Sequence, residues 1–118
     1  MCFKEIKKSL ENHVREALKK YVNKVVKYNL DKSEKDARDL SFLICDYIQR
    51  KEFYKNCKYV VNTIIIKKGY NKAAAKAFVI WDKSKDGYVY IAEENAEFSV
   101  IVSIYVLTIS DENEHETN

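Results

Sequence analysis

The sequence contains no proline and only two glycines in 118 residues. A collagen-like chain and a proline-rich or glycine-rich linker are excluded by that scarcity. Gly69 and Gly87 stand alone, so no glycine-rich phosphate-binding loop exists. Cysteine is also scarce. Cys2, Cys45 and Cys57 are odd in number and share no metal-ligand spacing. A reducing intracellular setting is therefore expected rather than a disulfide framework. His13 and His115 are the only histidines, and neither pairs with a cysteine by sequence. A Cys–His nucleophile has no support from that pattern. No run reaches the ~20 apolar residues of a membrane-spanning helix. The charged start Met1–Lys8 lacks the apolar core of a secretory signal. The excess of one charge sign is small, with 21 Lys and Arg against 18 Asp and Glu. That balance argues against a dedicated nucleic-acid binder.

What is present fits one folded domain: 47% of residues are hydrophobic and 33% charged. From Lys4 to Val26, the residues Ile6, Leu10, Val14, Ala17, Leu18, Tyr21, Val22 and Val25 recur at steps of mostly three and four. That spacing predicts an amphipathic helix. A second helix is expected to start near Asp31 or Ser33, either of which can cap free backbone amides. Ser33 and Asp36 have the spacing of a capping box. The second apolar stripe reads Ala37, Leu40, Phe42, Leu43, Ile44, Tyr47 and Ile48. The helix closes on Gln49-Arg50-Lys51, where cations suit the negative end of the dipole. Residues 1–55 carry 14 basic and 9 acidic side chains. A basic bias of this kind suggests an anionic partner. A solvated helix face is the better account of it, because the lysines alternate with acids between apolar positions.

The period changes after Lys58. Tyr59 to Ile66 is rich in β-branched residues and predicts a strand. Gly69 with Asn71 supplies a turn. Lys72 to Trp81 is ambiguous: its alanines favour helix and Phe78-Val79-Ile80-Trp81 favours strand. Asp82 to Gly87 reads as a turn, Tyr88 to Ile91 as a short strand, and Phe98 to Ile109 as a long one. Ser110 to Asn118 is a polar, acidic tail expected to stay disordered. Two helices followed by strands with short connections make an α+β order with an antiparallel sheet.

The last strand is apolar on both faces. Val100, Val102, Ile104 and Val106 point one way, and Ile101, Tyr105 and Leu107 the other, with Ser103 the one polar residue among them. A sheet covered on one side normally alternates apolar with polar. Two helices cover one face only, so a second copy of the chain is the expected cover for the other. Apolar surface contributes ~25 cal/mol per Å2 when buried.

Candidate chemistry is thin. Glu93, Glu94 and Glu97 make a nominal acidic cluster but lack a shaped calcium loop. Tyr88 and Tyr90 are good strand formers before they are base-stacking platforms. Cys45 lies among apolar helix residues and is expected to be buried and inert. No catalytic constellation, metal site or cofactor is expected, and a binding role follows by exclusion. A small enzyme with Cys45 or Cys57 as nucleophile is the alternative of another class, and thiol labelling separates the two.

The second half carries a further pattern. Cys57-Lys58-Tyr59-Val60-Val61 runs into an apolar strand ending at Ile66. Small residues then lead to Phe78-Val79-Ile80-Trp81-Asp82, followed by Asp86-Gly87, Glu94-Asn95 and Ile101-Val102-Ser103. In order and spacing this resembles the Tctex-type dynein light chains. Tyr28-Asn29 and the stripe through Ile48 are similar to the joint between that family's two helices. The resemblance covers roughly Ile6 to Ile109.

The resemblance implies a fold of two N-terminal helices packed on a four-stranded antiparallel sheet, in a strand-swapped homodimer. The family domain would occupy residues 1–109, and the acidic tail residues 110–118. The swapped strand would be Lys72 to Trp81, which resolves its ambiguity in favour of strand. Its outer edge, formed by Ala73, Ala74, Ala75, Lys76, Ala77, Phe78 and Val79, would accept an extended peptide by β-addition. Lys72 and Lys76 would blunt that edge against aggregation. Ile80, Trp81, Ile104 and Tyr105 are the residues expected at the dimer interface. The resemblance implies a non-enzymatic protein of the dynein motor complex. Its partners would be the dynein intermediate chain, a second copy of itself and cargo peptides, with no nucleic acid and no membrane. It places the chain in the cytoplasm with the cytoskeleton, in a cytoplasmic or an axonemal motor. An adaptor of the same fold acting outside the motor or in cilia is the alternative. The chain departs from the family at Glu93, where an aromatic is common, at Val106, where glycine is common, in its alanine-rich crossing strand and in its acidic tail.

Overall fold

The computed structural model describes residues 3–52, 57–69 and 87–108. Helix α1 spans Phe3–Lys24 and helix α2 spans Leu30–Arg50. Three strands follow: β1 (Cys57–Lys67), β2 (Gly87–Glu94) and β3 (Phe98–Thr108). The sheet order is β1-β3-β2 and both pairings are antiparallel. This is the expected α+β order, and three antiparallel strands of the expected four lie among the described residues. The expected crossing strand Lys72 to Trp81, with its edge residues Ala73 to Val79 and its interface residues Ile80 and Trp81, lies outside the described residues. So does the tail 110–118.

The apolar stripe of α1 does what its spacing predicts. Ile6, Leu10, Val14, Leu18 and Val22 are all buried. From α2, the core receives Leu40, Ile44 and Ile48. Both helices lie on the same face of the sheet. That face presents Ile65 from β1, Val89 and Ile91 from β2, and Phe98, Val100, Val102, Ile104 and Val106 from β3. Each such side chain contributes about 1.5–3 kcal/mol when fully buried, so this one layer is the main source of stability.

Two expectations for α2 need correction. The residue that caps it is Asn29, in extended conformation, whose side-chain oxygen accepts a hydrogen bond from the Lys32 amide at 2.9 Å. Asp31 and Ser33 lie inside the first turn, where the Ser33 hydroxyl donates to the Leu30 carbonyl at 2.9 Å. Asp36, the supposed far member of a capping box, instead joins the two helices. It accepts from the Tyr21 hydroxyl at 2.6 Å and from Lys32 Nζ at 2.8 Å. Burial pushes the Asp36 carboxyl up, but the Lys32 and Tyr21 hydrogen bonds outweigh it and hold the group below the usual range. Tyr21 is driven well above the ordinary phenol value by burial and by Asp36. The second correction concerns the stripe. Phe42 and Leu43 face away from the core, with 72% and 49% of their surface exposed.

The sheet connections follow from local chemistry. After β1 the chain turns at Lys68-Gly69, where Gly69 has φ +78°, a conformation that side chains disfavour. Between β2 and β3, Asn95 organises the turn. Its side-chain oxygen accepts from the amides of Glu97 and Phe98 at 2.8 and 3.0 Å. Its side-chain nitrogen donates to the carbonyls of Val22 and Val25 at 2.9 Å each, at the end of α1. One residue thus closes a hairpin and caps a helix.

Candidate functional site

Strand β1 is at one side of the sheet, and among the described residues its outer edge has no neighbouring strand. Helix α2 runs alongside it. Between the two lies a groove of about 670 Å3. An unpaired strand edge offers a row of backbone donors and acceptors to an extended chain.

The floor of this groove comes from Val61 to Ile65 of β1, and its wall from Ala37, Ser41 and Cys45 of α2. The Ser41 hydroxyl donates to Thr63 Oγ1 at 2.8 Å and ties wall to floor. Phe42 stands at the rim, largely solvated. Burial pushes the Cys45 thiol up, which keeps it protonated at neutral pH and a poor nucleophile. Glu34 and Arg38 give the rim one charge of each sign. Among the described residues, the groove presents an open backbone edge beside apolar and small polar side chains, and its one thiol is not activated.

The opposite face of the sheet carries the second apolar set. Val60 and Leu107 are 51% and 54% exposed, and Tyr90 is 38% exposed. Tyr105 is half-buried there, its ring 5.0 Å from that of Tyr88. Ile101 and Ser103 of the central strand are buried. Ile104, also expected at an interface, points to the helix side and is fully buried in the core. Its neighbour Tyr105 is therefore the member of the pair on the face away from the helices.

The acidic residues around the β2–β3 turn do not converge. Glu93 binds Arg15 of α1 at 2.8 Å, and Glu94 binds Lys68 at 2.9 Å. Among the described residues, no three His, Cys, Asp or Glu side chains group as metal ligands. No described helix is long and apolar enough to cross a membrane.

Sequence reasoning missed the groove residues Ser41, Phe42 and Thr63. The one available signal was Phe42, which falls two residues after Leu40 and so breaks the three-or-four spacing of a buried stripe.

The order of two helices and β1, the Lys58-Tyr59-Val60-Val61 run on that strand, and the Asn95 turn between β2 and β3 are the features that agree with the resemblance. The model of the Tctex-1 family matches residues 4–107. The chain belongs to the Tctex-1 family. That family is one of non-catalytic dynein light chains. No curated protein matches the chain. Two departures from the Tctex pattern now have a physical setting. Glu93, where an aromatic is common, is paired with Arg15 across the α1–β2 contact. Val106, where glycine is common, is buried in the core.

Proposed function

We propose that the chain is a dimeric dynein light chain that holds an extended segment of the dynein intermediate chain by β-strand addition. The observation that carries this reading is the unpaired outer edge of β1 in a Tctex-1 chain, with an open groove beside it under α2 that leaves room for a further strand. In this reading, Lys72 to Trp81 of one copy crosses to the partner and completes its sheet. The outer edge of that strand, Ala73 to Val79, then receives the intermediate-chain segment. Main-chain hydrogen bonds supply affinity, and side-chain pockets supply selectivity. Small side chains at Ala73, Ala74, Ala75 and Ala77 allow close approach. The dimer face includes Ile80, Trp81 and Tyr105, and Ile104 supports it from within the core. Two identical sites let a paired partner bind with avidity roughly 100-fold above a single site. Cargo peptides with the same extended habit compete for the same edge, and the complex acts in the cytoplasm on the microtubule cytoskeleton.

Proline substitution tests the mechanism. Ala75→Pro and Lys76→Pro each remove one backbone donor, and donors on adjacent residues point to opposite sides of a strand. One variant should stay folded and dimeric yet lose about 1–3 kcal/mol of affinity for an intermediate-chain segment. The other should disturb the sheet. Undiminished binding by both variants, with both folded, would mean that the segment docks elsewhere.

A further inference from the structure

The two helices handle charge differently. On α2, opposite charges four residues apart close on each other: Lys32 with Asp36 at 2.8 Å, Lys35 with Asp39 at 3.4 Å, and Asp46 with Arg50 at 2.8 Å. From Lys8 to Lys27, along α1 and just beyond it, six cations are exposed: Lys8, Arg15, Lys19, Lys20, Lys24 and Lys27. Glu16 is the one exposed acid in the same stretch. Arg15 is taken up by Glu93. The five lysines have no ion-pair partner among the described residues.

Folding does not ask for this strip. The buried side of α1 is the separate stripe Ile6 to Val22. Carbonyls at its carboxy-terminal end are capped by Asn95. The helix dipole favours cations in the last turn only, which accounts for Lys24 and for none of the others along α1. Like charges on neighbouring turns also repel.

We propose that the solvent face of α1, with Lys8, Arg15 and Lys19 along one flank, Lys20 and Lys24 along the other and Asn12, Glu16 and Asn23 between them, is a docking strip for an acidic, extended segment of a partner protein. Lys8 to Lys24 covers about 24 Å at 1.5 Å per residue. About seven residues of extended chain cover the same length. Between those two lysines the exposed side chains are Lys, Arg, Asn and Glu alone. From Lys8 to Lys24 the strip therefore offers no exposed apolar group to enter a bilayer and no exposed aromatic to stack a nucleobase; Val26, just before Lys27, is the one exposed apolar side chain beside it. Each exposed pair is worth little and is screened by salt, so binding is collective and falls as salt rises. The strip is on α1, which packs over β2, whereas the groove lies between α2 and β1. Occupancy of the strip leaves the groove open, and this proposal stands or falls apart from the one above.

Fluorescein-labelled octaglutamate is the probe, read by fluorescence anisotropy. It should bind, and the affinity should fall about tenfold between ~50 and ~300 mM salt. A triple variant, Lys19→Glu, Lys20→Glu and Lys24→Glu, should lose at least about tenfold at low salt. The same positions changed to Gln should lose part of it, and guard against a fold defect when checked by circular dichroism. A control with the same net charge, Lys35→Glu, Lys58→Glu and Lys67→Glu, should bind within about twofold of the parent, because those lysines are off the strip. Equal losses in variant and control would reduce the effect to net charge and overturn the proposal. So would undetectable binding, or equally tight and equally variant-sensitive binding to anionic vesicles or single-stranded RNA.

Discussion

Asn95 holds two elements together through one amide group. Its side chain donates to the Val22 and Val25 carbonyls and accepts from the Glu97 and Phe98 amides. Asn95→Ala strips four backbone groups of a partner, and its urea unfolding should show a loss of about 2–3 kcal/mol. Asn95→Asp keeps the acceptor but turns an anion toward two carbonyls, and should not recover that loss. His13 is the other informative residue. Its ring stacks on Tyr47 at 3.6 Å and 8°, and its Nε2 is buried without a hydrogen-bond partner. Burial depresses the His13 pKa below 6.5, Lys51 and Lys20 add to the depression, and Glu16 opposes it. The folded state thus takes up this proton less readily than the unfolded chain. The stability contribution is present above the unfolded value and is lost as pH falls through the folded one. The urea midpoint should decline from about pH 6.5 toward pH 5, and His13→Phe, which keeps a stacked ring, should flatten the profile in that window. Parallel profiles would remove His13 from the account.

At the scale of elements, periodicity carried most of the reading. The α1 stripe and the strands were legible because their apolar spacing is set by the core they face. The start of α2 was not, since Asn29, Asp31 and Ser33 are all competent caps and tertiary contacts choose among them. Asp36 was drawn away from the helix terminus by Tyr21, a contact between residues fifteen apart. The groove was also hidden, because it depends on how α2 is set against β1, and no spacing along one strand or helix encodes that. Phe42 and Ile44 separate the two roles of α2. Ile44 is fully buried, so Ile44→Ala should cost about 2–5 kcal/mol of stability. Phe42 is largely solvated, so Phe42→Ala should change stability by no more than about 0.5 kcal/mol. It should still weaken binding of an intermediate-chain segment, because the lost ring belongs to the groove rim. Thermal melts of both variants beside a peptide titration check this; unchanged peptide affinity in Phe42→Ala would remove the rim from the site.

On the scale of the whole molecule, the helices cover one side of the sheet while Val60, Tyr90 and Leu107 remain exposed on the other. The expectation of a second copy came from that two-sided apolar pattern, and the strand that would exchange is Lys72 to Trp81. Dimerisation and peptide addition are one claim in this account, since the receiving edge exists only once the strand has crossed. Sedimentation velocity at micromolar concentration, with a fluorescent intermediate-chain segment present, tests both in a single run. The account predicts that the label moves with a species of about twice 13.9 kDa, plus the mass of two bound segments. A chain that sediments as a folded monomer, with the label left behind, would contradict it.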